Sequence, residues 1–200
     1  MKQLVLFPGG FKPPHIGHMK LIKDISKLYP NAFIDIIIGK TPRLLVPPFD
    51  KKPYQLTKKE KENIIKSYTN CEEWDINCIP HITAEQSKAI WEEFNLKGNI
   101  KIMISPMNSP IYFAYILGKS LKKGDELILI KSEKNHEDAR FELFDKLKDK
   151  GIKVKYLELP VFKKLSSSNI RKCIFENNKK CFDEYYPKPI NRNKIWRIIQ

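Results

Sequence analysis

The sequence predicts an α/β protein built on a doubly wound parallel sheet. Two observations carry that reading. Short apolar runs rich in Ile, Val, Leu and Phe recur at residues 4–7, 33–38, 100–104, 127–130 and 154–159, the signature of strands buried on both faces. Helical patterns lie between them, and strand–helix alternation means parallel units with right-handed crossovers. In such a sheet, ligands bind at the carboxyl ends of the strands.

The helices can be justified in order. After Pro14, the residues Leu21, Ile22, Ile25 and Leu28 mark one helix face, and Tyr29-Pro30-Asn31 stops it. Thr57-x-x-Glu60 and Thr83-x-x-Gln86 are capping boxes, each followed by apolar residues at helical spacing. Residues 136–149 read as a helix through Ala139, Leu143, Phe144 and Leu147, ended at Gly151. Ile170, Ile174 and Phe175 support another after a serine cluster. Residues 44–81, rich in Pro and Lys, read as an insertion within a main domain of residues 1–177. Residues 178–200 read as a basic tail with a short helix near 194–199.

Composition narrows the class. At 200 residues and 42% hydrophobic content the chain can bury a core of about one domain. The net charge is +14, and residues 151–200 carry +8 of it, which points to polyanionic partners: nucleotides, nucleic acid or an anionic surface. No apolar run approaches the roughly 18 residues that span a bilayer, and the N-terminal apolar stretch is too short for a secretory signal, so a cytoplasmic location without a membrane partner is expected. Cys71, Cys78, Cys173 and Cys181 lack CxxC spacing and a histidine partner at zinc-finger spacing. They read as free thiols, with no protein metal site.

The chemistry concentrates in Phe7-Pro8-Gly9-Gly10-Phe11-Lys12-Pro13-Pro14-His15-Ile16-Gly17-His18, between the first strand and the first helix. Adjacent glycines let a backbone approach an oxyanion closely. The helix that begins near His15 aims free N–H groups and a positive dipole end at the strand-end crevice. Two imidazoles flank Gly17, which leaves room between them, and Lys12 adds a charge. This set suits a nucleoside triphosphate. A second cluster, Leu165-Ser166-Ser167-Ser168-Asn169-Ile170-Arg171, places hydroxyls and a guanidinium at another helix start, where they can cap the helix and hold phosphate oxygens. Lys163 and Lys164 precede it.

Residues 9–18 resemble the GxFxPxHxGH signature of the nucleotidyltransferase superfamily, and residues 165–171 resemble its ISSTxIR signature, with Leu and Ser in place of Ile and Thr. The resemblance implies a Rossmann-like α/β/α fold. It implies transfer of a nucleoside monophosphate from ATP or CTP to a phosphorylated acceptor, with Mg²⁺ carried mainly by the nucleotide phosphates and pyrophosphate released. It further implies that His15 binds triphosphate oxygens and His18 stabilises the pentacovalent α-phosphate. Lys12 offsets developing charge, and Ser166, Ser167, Ser168 and Arg171 hold the β and γ phosphates. Phe7, Gly9, Gly10, Phe11, Gly17 and Ser132 complete the nucleotide site. Lys40 and Arg43, after the second strand, match the place of acceptor-phosphate ligands. Lys51-Lys52-Pro53-Tyr54-Gln55-Leu56 is a rival, similar to a stretch of the phosphopantetheine adenylyltransferases. Residues 82–87 with Trp91 resemble the equivalent helix of phage and bacterial relatives and favour Lys40 and Arg43. Residues 105–110 could line the acceptor pocket, Lys131, Ser132, Glu133 and Lys134 stand where relatives read the nucleobase or ribose, and Arg140 and Phe141 follow in the next helix.

The expected reaction is adenylyl transfer from ATP to an acceptor such as nicotinamide mononucleotide. The alternatives are CTP with a phosphorylated alcohol, a relic of a class I aminoacyl-tRNA synthetase, and a non-enzymatic nucleic-acid binder, for which no known binding motif is present.

Overall fold

The computed structural model describes residues 1–132, 139–159 and 165–200. Its strands are β1 (Gln3–Gly9), β2 (Phe33–Ile38), β3 (Arg43–Leu44), β4 (His81–Ile82), β5 (Ile100–Ile104), β6 (Glu126–Ser132) and β7 (Lys153–Leu159). Five of them form one sheet in the order β5-β2-β1-β6-β7, with all four neighbouring pairs parallel. These five are the predicted strands: β2 and β5 have the predicted bounds, and β1, β6 and β7 are extended by one to three residues.

The helices are α1 (Ile16–Leu28), α2 (Lys58–Tyr68), α3 (Ala84–Glu93), α4 (Pro110–Gly118), α5 (Asp145–Lys148), α6 (Ser167–Phe175), α7 (Lys179–Asp183) and α8 (Arg192–Ile199). The chain runs from β1 through α1 to β2 and on through α3 to β5. It then returns through α4 to β6 on the far side of β1. Right-handed crossovers therefore put α1 and α3 on one face and α4 and α5 on the other. The cores agree. Val5, Phe7, Ile36 and Ile128 pack with α1, α3 and the C-terminal helices, while Leu4, Leu6, Ile37 and Leu129 pack with α4 and residues 141–152. The result is the doubly wound, Rossmann-like α/β/α sandwich that the alternation predicts. No described helix is long and apolar enough to cross a membrane.

Four local expectations need correction. The buried stripe of α1 is Ile16, Met19, Ile22 and Ile25, and Leu28 is 64% exposed. Each three-residue step falls about 60° short of a full turn, which carries Leu28 off the packed face. The expected helix over 136–149 is instead a 3-10 turn at Ala139–Phe144 followed by the short α5, with 136–138 outside the described residues. Phe141, Phe144 and Leu147 are buried three apart, the period of the tighter helix. The cysteines are not free thiols: Cys71 pairs with Cys78 and Cys173 with Cys181, at Cα separations of 6.3 and 5.7 Å. Loops of seven and eight residues after α2 and across the α6–α7 turn bring each pair within reach.

The fourth concerns the C-terminal stretch, which is not an appended tail. Phe182, Tyr186, Ile190, Ile195 and Ile199 are buried in the main core, and α8 docks on α3 through Gln86 Nε2–Ile198 O (2.8 Å) and a Lys194–Glu93 ion pair. Lys179 and Arg192 share Asp183, so part of the local charge is paired. The helix starts at Asn191, whose side chain caps it.

Residues 44–81 pack around a small cluster of their own, Leu44, Val46, Leu56, Ile64 and Ile79. The antiparallel β3–β4 pair closes its base, and Thr57 and Glu60 form the predicted capping box on α2.

Tyr186 is fully buried and donates its hydroxyl to the Pro14 carbonyl at 2.6 Å. Tyr186→Phe leaves that carbonyl unpaired and is expected to lower stability by about 1–3 kcal/mol. Urea unfolding of the two proteins measures the difference, and equal midpoints would show that the contact contributes nothing.

Candidate active site

The site forms where β1 and β2 end. The two strand ends are joined by the Gly39 N–H bond to the Gly9 carbonyl, at 2.8 Å. Phe11, at φ 48°, turns back so that its ring lies over Gly9, where an added Cβ would fall 2.5 Å from Cζ. Gly10 is open, with only an Arg43 nitrogen within 4 Å of an added Cβ. A cleft of about 990 Å³ opens here, lined by Gly9, Gly10 and Gly39 at the strand ends and by Asn108, Ser109 and Pro110 at the start of α4. Its described lining residues include the cations Lys12, Lys40, Arg43, Lys52 and Arg140, and no carboxylate.

No family model matches the chain. Among solved structures it is similar to a candidate nicotinate-nucleotide adenylyltransferase from Vibrio parahaemolyticus, over 100% of this chain and 99% of that one, with a TM-score of 0.52 at 12% identity. It is also similar to TmcAL of Thermotoga maritima bound with alpha-thio ATP, with a TM-score of 0.51 at 10% identity. That match covers 100% of this chain and 55% of the other. The chain shares the Rossmann-like α/β fold of these two structures.

The two histidines form one unit at the start of α1. His15 is the N-cap, and its Nδ1 accepts the Gly17 N–H at 3.2 Å. His18 Nδ1 accepts the His15 N–H at 3.2 Å, and the rings stack with centroids 3.8 Å apart. Burial pushes His15 down to about 4. Burial, and secondarily the His15 neighbour, hold His18 well below its ordinary value. Both imidazoles are therefore neutral at physiological pH. With each Nδ1 accepting a backbone hydrogen, the ring proton belongs on Nε2. The pair offers two neutral N–H donors. His18 is also packed edge-on to Phe11, near Phe7 and Trp91, so Phe7 and Phe11 sit in the α1–α3 layer and not in the lining of the cleft.

Three cations crowd together here, Lys12 and Arg171 buried and Arg43 half-buried. Lys12 is 2% exposed and donates to the carbonyls of Gly10, at 3.1 Å, and Gly39. Burial lowers its pKa to about 7, with Arg43 adding to the effect and Glu85 opposing it. Arg171 is 4% exposed. Burial, with Arg43 adding to the effect and Asp50 opposing it, brings its pKa down to about 10. Arg43 is lowered by burial as well. Its Nη1, and the Nε of Arg171, are buried without a hydrogen-bond partner among the described residues. Like charges crowded together with unused donors form a site electrostatically suited to an anion.

The serine cluster reaches the same place from the other end of the chain. Ser166 caps α6, Ser167 donates to the Pro13 carbonyl at 2.8 Å, and Ser168 accepts from Arg171 at 3.0 Å. Arg171 also donates to the carbonyls of Lys12 and Phe49. The rival segments proposed for the acceptor are not alternatives: Lys40 and Arg43 line the cleft together with Lys52 and Tyr54. Within that lining the Lys52 ammonium lies 5.3 Å from the Tyr54 ring centroid, a cation–π pair that the sequence alone does not single out. Asn108–Pro110 is both the start of a helix and part of the lining. Ser132 ends β6, and its side chain, with Glu133, Lys134, Lys163 and Lys164, lies outside the described residues.

Lys12 gives a pH test with a definite sign. Its charge is disfavoured in the fold, so the unfolded chain binds more protons between about pH 7 and its ordinary 10.5. Stability attributable to Lys12 rises with pH across that interval. Lys12→Met is expected to remove that part of the rise, measured as the difference in urea midpoint between the two proteins from pH 6 to pH 10. A pH-independent difference would show that Lys12 titrates normally.

Proposed function

We propose that the protein transfers a nucleoside monophosphate, AMP from ATP by first choice, to a phosphorylated small-molecule acceptor such as nicotinamide mononucleotide. The observation that carries this is the crowding of Lys12, Arg43 and Arg171, with Lys12 and Arg43 lining a glycine-rich cleft that has no carboxylate among its described lining residues and Arg171 buried behind it against the Lys12 carbonyl. A triphosphate and an acceptor phosphate are the anions that such a cleft fits. The HxGH and serine–arginine motifs, which meet through the Lys12 and Pro13 carbonyls, support the same reading.

In this reaction an acceptor phosphate oxygen attacks the α-phosphorus in line. The bond from that phosphorus to the bridging oxygen breaks, and pyrophosphate leaves. The acceptor is already ionised at neutral pH, so catalysis is positioning and charge stabilisation. His15 and His18 give neutral N–H donors to the triphosphate, His18 to the oxygens that gain charge at the α-phosphorus. Lys12 becomes charged against that developing charge, because a nearby polyanion raises its lowered pKa. Arg171 with Ser167 and Ser168 hold the β and γ phosphates, and Lys40, Arg43 and Lys52 hold the acceptor phosphate. The lining supplies cations and amides, so Mg²⁺ would enter with the triphosphate, ligated by its oxygens and water. Bound there, it would neutralise charge on the leaving pyrophosphate.

The test is pyrophosphate release with Mg²⁺, ATP or CTP, and a panel of phosphorylated acceptors. No release with any pair overturns the reading, and release with CTP alone reassigns the nucleotide. His18→Ala is expected to lower kcat by about 10²–10³, equivalent to about 2.7–4 kcal/mol, while the circular dichroism spectrum stays unchanged. Near-wild-type turnover in that variant would remove His18 from the mechanism.

A further inference from the structure

The contact between Arg171 and the insertion is unusual for a phosphate-binding arginine. Its Nη2 donates to the backbone carbonyl of Phe49, in the first loop of residues 44–81. The Ser168 hydroxyl points at the same carbonyl, at 3.4 Å. The Asp50 carboxylate lies close enough to favour the arginine's charge. The groups assigned to the β and γ phosphates are thus engaged by a neutral carbonyl with a carboxylate beside it. A buried guanidinium is poorly matched by neutral oxygens, here two carbonyls and one hydroxyl, and its Nε has no hydrogen-bond partner among the described residues. A phosphate oxygen would satisfy it better.

We propose that residues 47–50 are an internal placeholder: the Phe49 carbonyl holds the place on the Arg171 guanidinium that a polyphosphate oxygen takes, and anion binding releases this loop from α6. The inference rests on the nucleotide reading above.

The rest of the contact is built to yield. The Phe49 ring meets Phe175 at the end of α6, with centroids 5.7 Å apart, and Phe175 meets Tyr68 at the end of α2, at 5.5 Å. Phe175 and Tyr68 are each 41% exposed. The insertion is therefore fastened to α6 by one carbonyl and a surface row of three rings. The insertion has its own cluster around Leu44, Val46, Leu56 and Ile64, and Leu45 anchors its start in the main core, so residues 47–50 lie just beyond both anchors and none of them belongs to either cluster. The two halves of the cleft's chemistry are linked by this arrangement. The same insertion carries Lys52 and Tyr54 into the acceptor side of the cleft, so release of residues 47–50 by a triphosphate would reposition the acceptor ligands.

The experiment titrates wild type, Phe175→Ala and Tyr68→Ala with tripolyphosphate in a calorimeter and follows amide hydrogen exchange at residues 49–52. Neither substitution touches a group assigned to catalysis or binding, and thermal unfolding of each variant checks that it folds. Loosening the ring row is expected to tighten tripolyphosphate binding by about 2- to 10-fold. In wild type the anion is expected to raise exchange at residues 49–52. Equal affinity in all three proteins with unchanged exchange overturns the placeholder and leaves the phosphate site standing. No binding of tripolyphosphate by any of the three overturns both.

Discussion

Three consecutive carbonyls hold this molecule together around its site. Those of Lys12, Pro13 and Pro14 accept hydrogen bonds from Arg171, Ser167 and Tyr186 respectively. Prolines carry no N–H and cannot continue a strand ladder, so this loop depends on side chains for its order. All three donors come from the last 34 residues of the chain. The loop between β1 and α1 is where the glycines, Lys12 and the histidines sit, so its geometry is set by a segment more than 150 residues away. That dependence explains why the C-terminal helices belong to the core.

The same constraint shapes the electrostatics. Fixing Lys12 and Arg171 by backbone carbonyls buries two cations, and the half-buried Arg43 sits close enough to both to repel them. Buried charge without a counter-charge opposes folding, and the lowered pKa values of Lys12 and Arg171 express that penalty. A functional site is where such local conflict is expected. The histidines show the complementary solution. As neutral donors locked by backbone hydrogen bonds, they add directionality to the site without adding to the repulsion.

The insertion is the part of the fold that links these groups. It touches the buried guanidinium through Phe49, carries Lys52 and Tyr54 to the cleft, and packs on a cluster of its own. The main sheet positions the glycines and Lys12 of the cleft, and the insertion adds Lys52 and Tyr54 to the same lining.

Much of the fold was legible in the sequence because strand and capping signals are local. The five parallel strands follow from apolar runs, and the caps at Thr57, Thr83 and Ser166 follow from their own side chains. The two motifs could be read as phosphate-binding because their residue types and helix-start positions carry the chemistry. What depended on distant partners was not legible. The disulfide pairing, the burial of residues 182–199 and the shared lining of Lys40, Arg43, Lys52 and Tyr54 all require knowing which segments meet. The sequence alone determined the sheet, its helices and the kinds of groups at the site. Only the tertiary structure decided that the histidines are neutral, that Lys12 titrates near 7 and that Arg171 is held by Phe49, because burial and long-range contact, not residue type, set those properties.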